Sequence, residues 1–206
     1  MRLGLPTLMI AARPDDAWCE GLEAELAGAA AALPFGAVRL LQAMGVPLGT
    51  VAQLTGAGAI GRARVEVGAD GRWAPVAQGE PRLVVAVREK GVLVDLVALS
   101  SSDGDSWALR TGEGWLLGYE SWLNAQLGAN SRLRLHGSPM AWLGAGGEGV
   151  CVLDWTRGAL RSLRGLGPDV TIICQDQQAA DVLANALRWG GLPRVVADDF
   201  KGREAA

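Results

Sequence analysis

Histidine occurs once in the 206-residue chain, tyrosine once, phenylalanine twice and cysteine three times. Each scarcity removes a class of protein. The lone histidine, His136, excludes a His-rich metal motif. With no Cys, Ser or carboxylate at a motif spacing, it reads as an exposed or hydrogen-bonded structural residue rather than a base. Cys19, Cys151 and Cys174 match no zinc spacing, and their odd number argues against a disulfide framework. Cys151 and Cys174 fall in predicted strands, where buried inert thiols are usual. Basic residues are not in excess: 19 Lys and Arg face 22 Asp and Glu, for a net charge of −3. That balance gives no electrostatic case for tight, non-specific nucleic-acid binding. No apolar run reaches the roughly 18 residues of a membrane span. Leu8-Met9-Ile10 lacks the basic region and long apolar run of a secretory leader, so a reducing cytoplasm is the expected compartment. There is no Walker lysine and no nucleophile elbow. The glycines from Gly144 to Gly149 precede a strand, whereas a phosphate loop follows one and opens a helix; they read as a flexible turn.

What the chain does have is apolar and patterned. Hydrophobic residues make up 50% and charged residues 20%, which fits a globular fold and argues against disorder. A chain of this length buries roughly 70% of its unfolded surface, so it folds without a disulfide or metal. The stretch from Gly149 to Asp198 organises the rest. Val150 to Leu153 and Val170 to Cys174 are short apolar runs, and Arg194 to Ala197 is a third. Between them, Thr156 to Leu166 and Ala179 to Trp189 have helical spacing, the second with Ala180, Leu183, Ala184 and Leu187 in one stripe. Apolar strands alternating with amphipathic helices predict a βαβαβ unit with its strands in one parallel sheet.

Upstream the period changes. Ala17 to Ala32, Ala37 to Met44 and Gly49 to Leu54 predict helices, with Asp15 and Asp16 as caps for the first. Gly56 to Gly61 reads as a hinge or linker closing a helical part over 1–61. From Arg62 to Gly118 the pattern is an antiparallel meander. Its predicted strands are 63–67, 72–74, 83–87, 92–99, 107–110 and 115–117, with Asp70-Gly71 as a hairpin turn. Tyr119 to Leu127 predicts a helix, Arg132 to Leu135 a brief strand, and Ser138-Pro139 the start of another helix. The expected class is α/β, with the α/β part over 62–206 and the parallel unit over 149–198.

Three acidic positions end the predicted parallel strands: Asp154, Asp176 and the pair Asp198-Asp199. In an open α/β sheet, ligands bind beyond the carboxyl ends of the strands. Carboxylates gathered there would hold Mg²⁺. Asp154 and Asp176 are equally placed to cap the helices that follow, the commoner duty of a strand-end Asp. Arg157, Arg161 and Arg164, at spacings of four and three, would share one helical side. That side either meets phosphates or is the solvated face opposite Leu160 and Leu163. Three phosphate contacts would give a salt slope of only about −2 to −3. Ala37 to Leu54 has the outline of a helix-turn-helix, but its second helix offers base edges only Thr50 and Gln53. The eight tryptophans include Trp107, Trp115 and Trp122 near one hairpin end and Trp155 after a strand; indoles stack on bases, and more often fill cores.

Val170 to Asp198 resembles the closing half of a toprim domain of phage and plasmid primases. There, an apolar strand ends in Asp-x-Asp and a small-residue helix follows. Here the residues are Ile172-Ile173-Cys174-Gln175-Asp176-Gln177-Gln178-Ala179-Ala180, with Gln175 and Gln177 at the two carboxylate positions and Asp176 between them. The family's Glu-Gly after an earlier strand has Asp154-Trp155 as its counterpart. Val87-Arg88-Glu89-Lys90-Gly91-Val92-Leu93-Val94 is similar to the hairpin that precedes toprim in those primases. No four-cysteine zinc ribbon precedes it. The resemblance, over about Leu83 to Asp198, implies a reduced, non-catalytic relative: an accessory of phage or prophage nucleic-acid metabolism with a protein partner. Asp154, Asp176 and Asp198 are its candidate metal residues. Its candidate nucleic-acid contacts are Gln53, Trp155, Arg157, Arg161 and Arg164. A protein-interaction module and a helix-turn-helix regulator are the competing expectations.

Overall fold

The computed structural model describes residues 17–100, 106–156, 158–188 and 194–197. Three helices come first: α1 (Ala17–Ala31), α2 (Phe35–Ala43) and α3 (Leu48–Gly56). Five strands follow: β1 (Ile60–Val67), β2 (Trp73–Pro75), β3 (Glu80–Glu89), β4 (Val92–Leu99) and β5 (Trp107–Leu109). They form one antiparallel sheet in the order β2-β1-β3-β4-β5. The β3–β4 turn has two residues, Lys90 and Gly91, with φ of 50° and 78°. Positive φ at both positions suits the twist of a tight hairpin.

Both faces of this sheet are covered, which explains why β4 is apolar at every position but Asp95. Leu22, Leu26 and Ala29, one stripe of α1, pack on Val84, Leu93, Leu96 and Ala98. Arg88 and Arg110 pair bidentately with Glu23 and Glu25 at 2.9–3.1 Å and hold α1 in place. The opposite face carries Ile60, Val85, Val97 and Leu99 against Leu41 and Val51 of α2 and α3, and against Cys151 and Leu153 of the second sheet. One apolar cluster thus joins the helical part, the antiparallel sheet and the parallel sheet.

Inside the first sheet Asp95 is fully buried. Its carboxylate accepts from the backbone N–H groups of Leu96 (2.7 Å), Arg110 (3.0 Å), Thr111 (2.9 Å) and Gly114 (3.0 Å). It thereby fastens the segment that leaves β5. A Cβ on Gly114 would fall 2.7 Å from the Asp95 Cβ, so only glycine lets that segment come so close.

The second sheet contains β6 (Leu116–Leu117), β7 (Arg132–His136), β8 (Val150–Val152), β9 (Thr171–Cys174) and β10 (Arg194–Ala197) in the order β10-β9-β7-β8-β6. Its helices are α4 (Tyr119–Gln126), α5 (Pro139–Gly144), α6 (Ala159–Arg164) and α7 (Gln177–Leu187). Strands β8, β7, β9 and β10 are mutually parallel, and β6 runs antiparallel to β8. The predicted strands Val150–Leu153, Val170–Cys174 and Arg194–Ala197 do lie in one parallel sheet.

Four expectations need correction. Arg132–His136 is the middle strand of the parallel sheet, between β8 and β9, so the parallel unit starts before residue 149. Leu116–Leu117 pairs with β8 and has left the meander. The helix expected over 156–166 spans only Ala159–Arg164, because Asp154 holds Thr156 in a turn (N–H at 2.8 Å, Oγ1 at 2.6 Å) and Gly158 sits at φ 76°. Ile60 and Gly61 belong to β1 rather than to a linker. Asp15, Asp16, Arg157, Asp198 and Asp199 lie outside the described residues. Among the described residues, no single helix is long and apolar enough to cross a membrane.

Candidate functional site

Right-handed crossovers settle where a ligand site arises. From β7 the chain passes through α5 to β8 on one side; from β9 it passes through α7 to β10 on the other. Opposite directions put the helices on opposite faces. Leu143 of α5 packs in the cluster shared with the first sheet, while Leu163 of α6 and Leu183 of α7 pack on the far face. The carboxyl ends of β7 and β9 therefore flank a topological switch point, where the diverging connections leave a crevice.

A cleft of about 410 Å³ lies there. It is lined by His136 at the end of β7 and Gly137 beyond it, by Cys174 at the end of β9 and Gln175 beyond it, and by Trp155, Leu160 and Val182 among others. A Cβ on Gly137 would fall 2.7 Å from Gln175 Oε1, so the exposed amide of Gln175 lies across a residue that has no side chain. His136 is buried, and its Nε2 sits 2.9 Å from the Glu148 carbonyl. A carbonyl only accepts, so Nε2 carries the proton. Ser138, two residues on, caps α5 by accepting from the Ala141 N–H at 3.2 Å. Trp155 is 47% exposed and Val182 64% exposed; two large apolar side chains meet solvent at the mouth.

The strand-end carboxylates behave as caps and turns. Asp176 accepts from the Ala179 N–H at 2.7 Å as the N-cap of α7, a contact worth about 1 kcal/mol. Asp154 is committed to Thr156. Among the described residues no three His, Cys, Asp or Glu side chains gather as a metal site. Gln177, two residues beyond Gln175, turns its amide along α7 to Asp181 at 2.8 Å.

Two of the three arginines of the predicted basic side are described, and they differ. Arg161 is exposed on α6, but Arg164 reaches back to donate to the Ala186 carbonyl at 2.7 Å, near the end of α7, where a cation suits the helix dipole. Gln53 is exposed on α3, while Thr50 is buried against the core. Of the hairpin-end tryptophans, Trp115 and Trp122 meet edge to face at 5.8 Å. Trp107 lies apart, in the cluster between the sheets, and donates to the Leu153 carbonyl at 3.3 Å.

Both described cysteines are buried. Burial pushes the Cys151 thiol up to about 12; burial and then the Asp176 carboxylate push Cys174 up to about 11. Neither is a ready nucleophile. In the unfolded chain both thiols titrate near their ordinary value of 9.0. The folded state keeps these protons after the unfolded state has lost them. Their contribution is therefore complete below about pH 9 and is lost as pH rises toward 11 and 12. Urea denaturation from pH 8 to 11 is expected to show stability falling above pH 9, with a shallower fall in Cys174→Ala. Identical slopes in the two proteins would contradict this.

The sequence drew attention to Trp155 and the aspartates but passed over Gln175 and the His136-Gly137 pair as site residues. The usable signal was topological: both groups lie at the ends of strands that are distant in sequence but neighbours in the sheet, where Leu135 pairs with Cys174. Comparison with known proteins finds no family model, no curated protein and no solved structure that matches the chain.

Proposed function

We propose that this chain is a toprim-like accessory of phage or prophage nucleic-acid metabolism that has given up metal-dependent chemistry and works by binding nucleic acid and a protein partner. The observation that carries the reading is the adjacency of β7 and β9. The resemblance sets Gln175-Asp176-Gln177 against the family's Asp-x-Asp. The strand beside β9 is β7, which ends at His136, with Gly137 the next residue. That pair is a nearer counterpart of the family's Glu-Gly than Asp154-Trp155, with His in place of Glu. On this reading the three carboxylate positions are His136, Gln175 and Gln177. None of them offers the anionic oxygens that Mg²⁺ favours.

The test is to restore the carboxylates. Calorimetry with Mg²⁺ and Mn²⁺ is expected to detect no tight site in the wild type. A site is expected to appear in the folded triple variant His136→Glu, Gln175→Asp, Gln177→Asp. Tight binding by the wild type that disappears in Asp176→Ala would overturn the non-metal reading. A folded triple variant that binds nothing would count against the alignment.

A further inference from the structure

We infer that the switch-point cleft takes an unpaired nucleobase, stacked on Trp155 and read by the Gln175 amide. The lining selects the class of ligand. Among the described residues, no Lys, Arg, Asp or Glu lines the cleft, so none of them offers a phosphate or a cationic group its complement there. Its lining is mostly apolar, the polar side chains along it include His136 and Gln175, and its volume of about 410 Å³ falls in the range of small-molecule sites, roughly 300–1,000 Å³. A flat, neutral, hydrogen-bonding heterocycle matches all three properties.

Trp155 supplies the platform. It lies just past β8, beyond Leu153 and Asp154, it lines the cleft, and about half of it is exposed. Most of the other tryptophans with a described environment are buried in apolar clusters or hydrogen-bonded to backbone: Trp73 donates to Leu96, Trp107 to Leu153 and Trp142 to Gly149. Gln175 supplies the reading group. An amide offers a donor and an acceptor side by side, the pattern that matches a base edge. Gly137 lets that amide lie where it does, since a Cβ there would fall 2.7 Å from its Oε1. With phosphates left outside, a base entering from a single strand would dock as bases do on aromatic platforms elsewhere. The inference rests on the nucleic-acid reading above only for the source of the base: a strand or a free nucleoside presents the same face.

Titration calorimetry distinguishes the sources, using the five common nucleosides, a short single-stranded oligonucleotide, and an abasic sugar-phosphate strand of equal length. The full chain and its Trp155→Ala, Trp155→Phe and Gln175→Ala variants are compared after circular dichroism confirms folding. Nucleoside affinity is expected to be unchanged between about 50 and 200 mM salt, because no ion pair forms. Trp155→Ala is expected to weaken binding roughly fivefold to a hundredfold, with Trp155→Phe recovering part of the loss. Gln175→Ala is expected to weaken it roughly two- to tenfold. The abasic strand is expected to lose most of the oligonucleotide's affinity. Nucleoside binding without oligonucleotide binding would uphold the cleft and remove the nucleic-acid role. Oligonucleotide binding that is indifferent to both residues would leave that role standing and overturn the cleft. Absence of binding by every base-containing probe would overturn both.

Discussion

Replacing Asp95 with alanine is expected to cost about 3–5 kcal/mol, one of the two largest effects of any single change considered for this fold. The carboxylate is fully buried and accepts four backbone N–H bonds, from Leu96, Arg110, Thr111 and Gly114. Each buried donor left without a partner costs roughly 1–3 kcal/mol. The total falls short of the simple sum because the segment from Arg110 to Gly114 can move toward water. Asp95→Asn keeps one oxygen but turns an N–H₂ toward a donor, so it should recover only part of the loss. Urea denaturation should show a lower midpoint with an unchanged slope. For a chain of this size the melting temperature should drop by roughly 6–20 °C. A loss under about 1 kcal/mol in Asp95→Ala would mean that the four bonds contribute little.

Asp95 also shows which parts of the architecture are legible in the sequence. The run Val92–Leu99 reads as a strand from its β-branched and aliphatic content, and β4 spans those same residues. Its one charged residue gives no hint that the segment beyond β5 folds back onto it. That contact joins residues 15 to 19 positions apart and depends on Gly114 having no side chain. The parallel unit is legible for a similar reason: β8, β9 and β10 are apolar and flanked by helical stripes. The place of β7 is not. Arg132-Leu133-Arg134-Leu135 alternates like a half-exposed strand, yet it is central in its sheet. Its arginines emerge at the strand's start, where burial lessens, while Leu133 and Leu135 enter the core. β6, at two residues, is too short for any period to show, and its partner is set by the crossover rather than by its own residues.

The site was legible in its chemistry and not in its geometry. Asp154 and Asp176 lie just past apolar runs and before predicted helices, so a capping or turn-forming role can be read locally, and both side chains bond within three residues of themselves. An arginine face demands a continuous helix. Gly158 in the left-handed region breaks that continuity before α6, and Arg164 is drawn to the end of α7 by a contact that sequence spacing cannot reveal. His136 and Gly137 carry no charge pattern, and Gln175 stands at a carboxylate position of the resembling motif without the charge. What makes them a site is the reversal of strand order between β7 and β9, a property of the whole sheet.

The glycine-rich stretch between α3 and β1 offers a sharper check, because three of its glycines should answer differently to the same substitution. Gly56 ends α3 with open space around it; alanine there should be neutral or stabilise by up to about 0.5 kcal/mol through reduced chain entropy. Gly58 has φ of +61° and equally open surroundings. Alanine there meets backbone strain alone, about 1–2 kcal/mol. Gly61 has ordinary dihedrals, but its added Cβ would lie 2.5 Å from the Ala30 nitrogen and 2.6 Å from the Ala29 oxygen. Those are backbone atoms of α1, and a helix cannot yield as a side-chain tip can. Gly61→Ala should therefore force α1 off the first sheet and loosen Leu22 and Leu26 from Leu93 and Leu96, costing roughly 3 kcal/mol or more. Proteolysis within α1 should accelerate in that variant alone. A flexible hinge would instead tolerate all three alanines alike, so near-equal stability of the three variants would restore the linker reading of this stretch and refute the close crossing of α1 over β1.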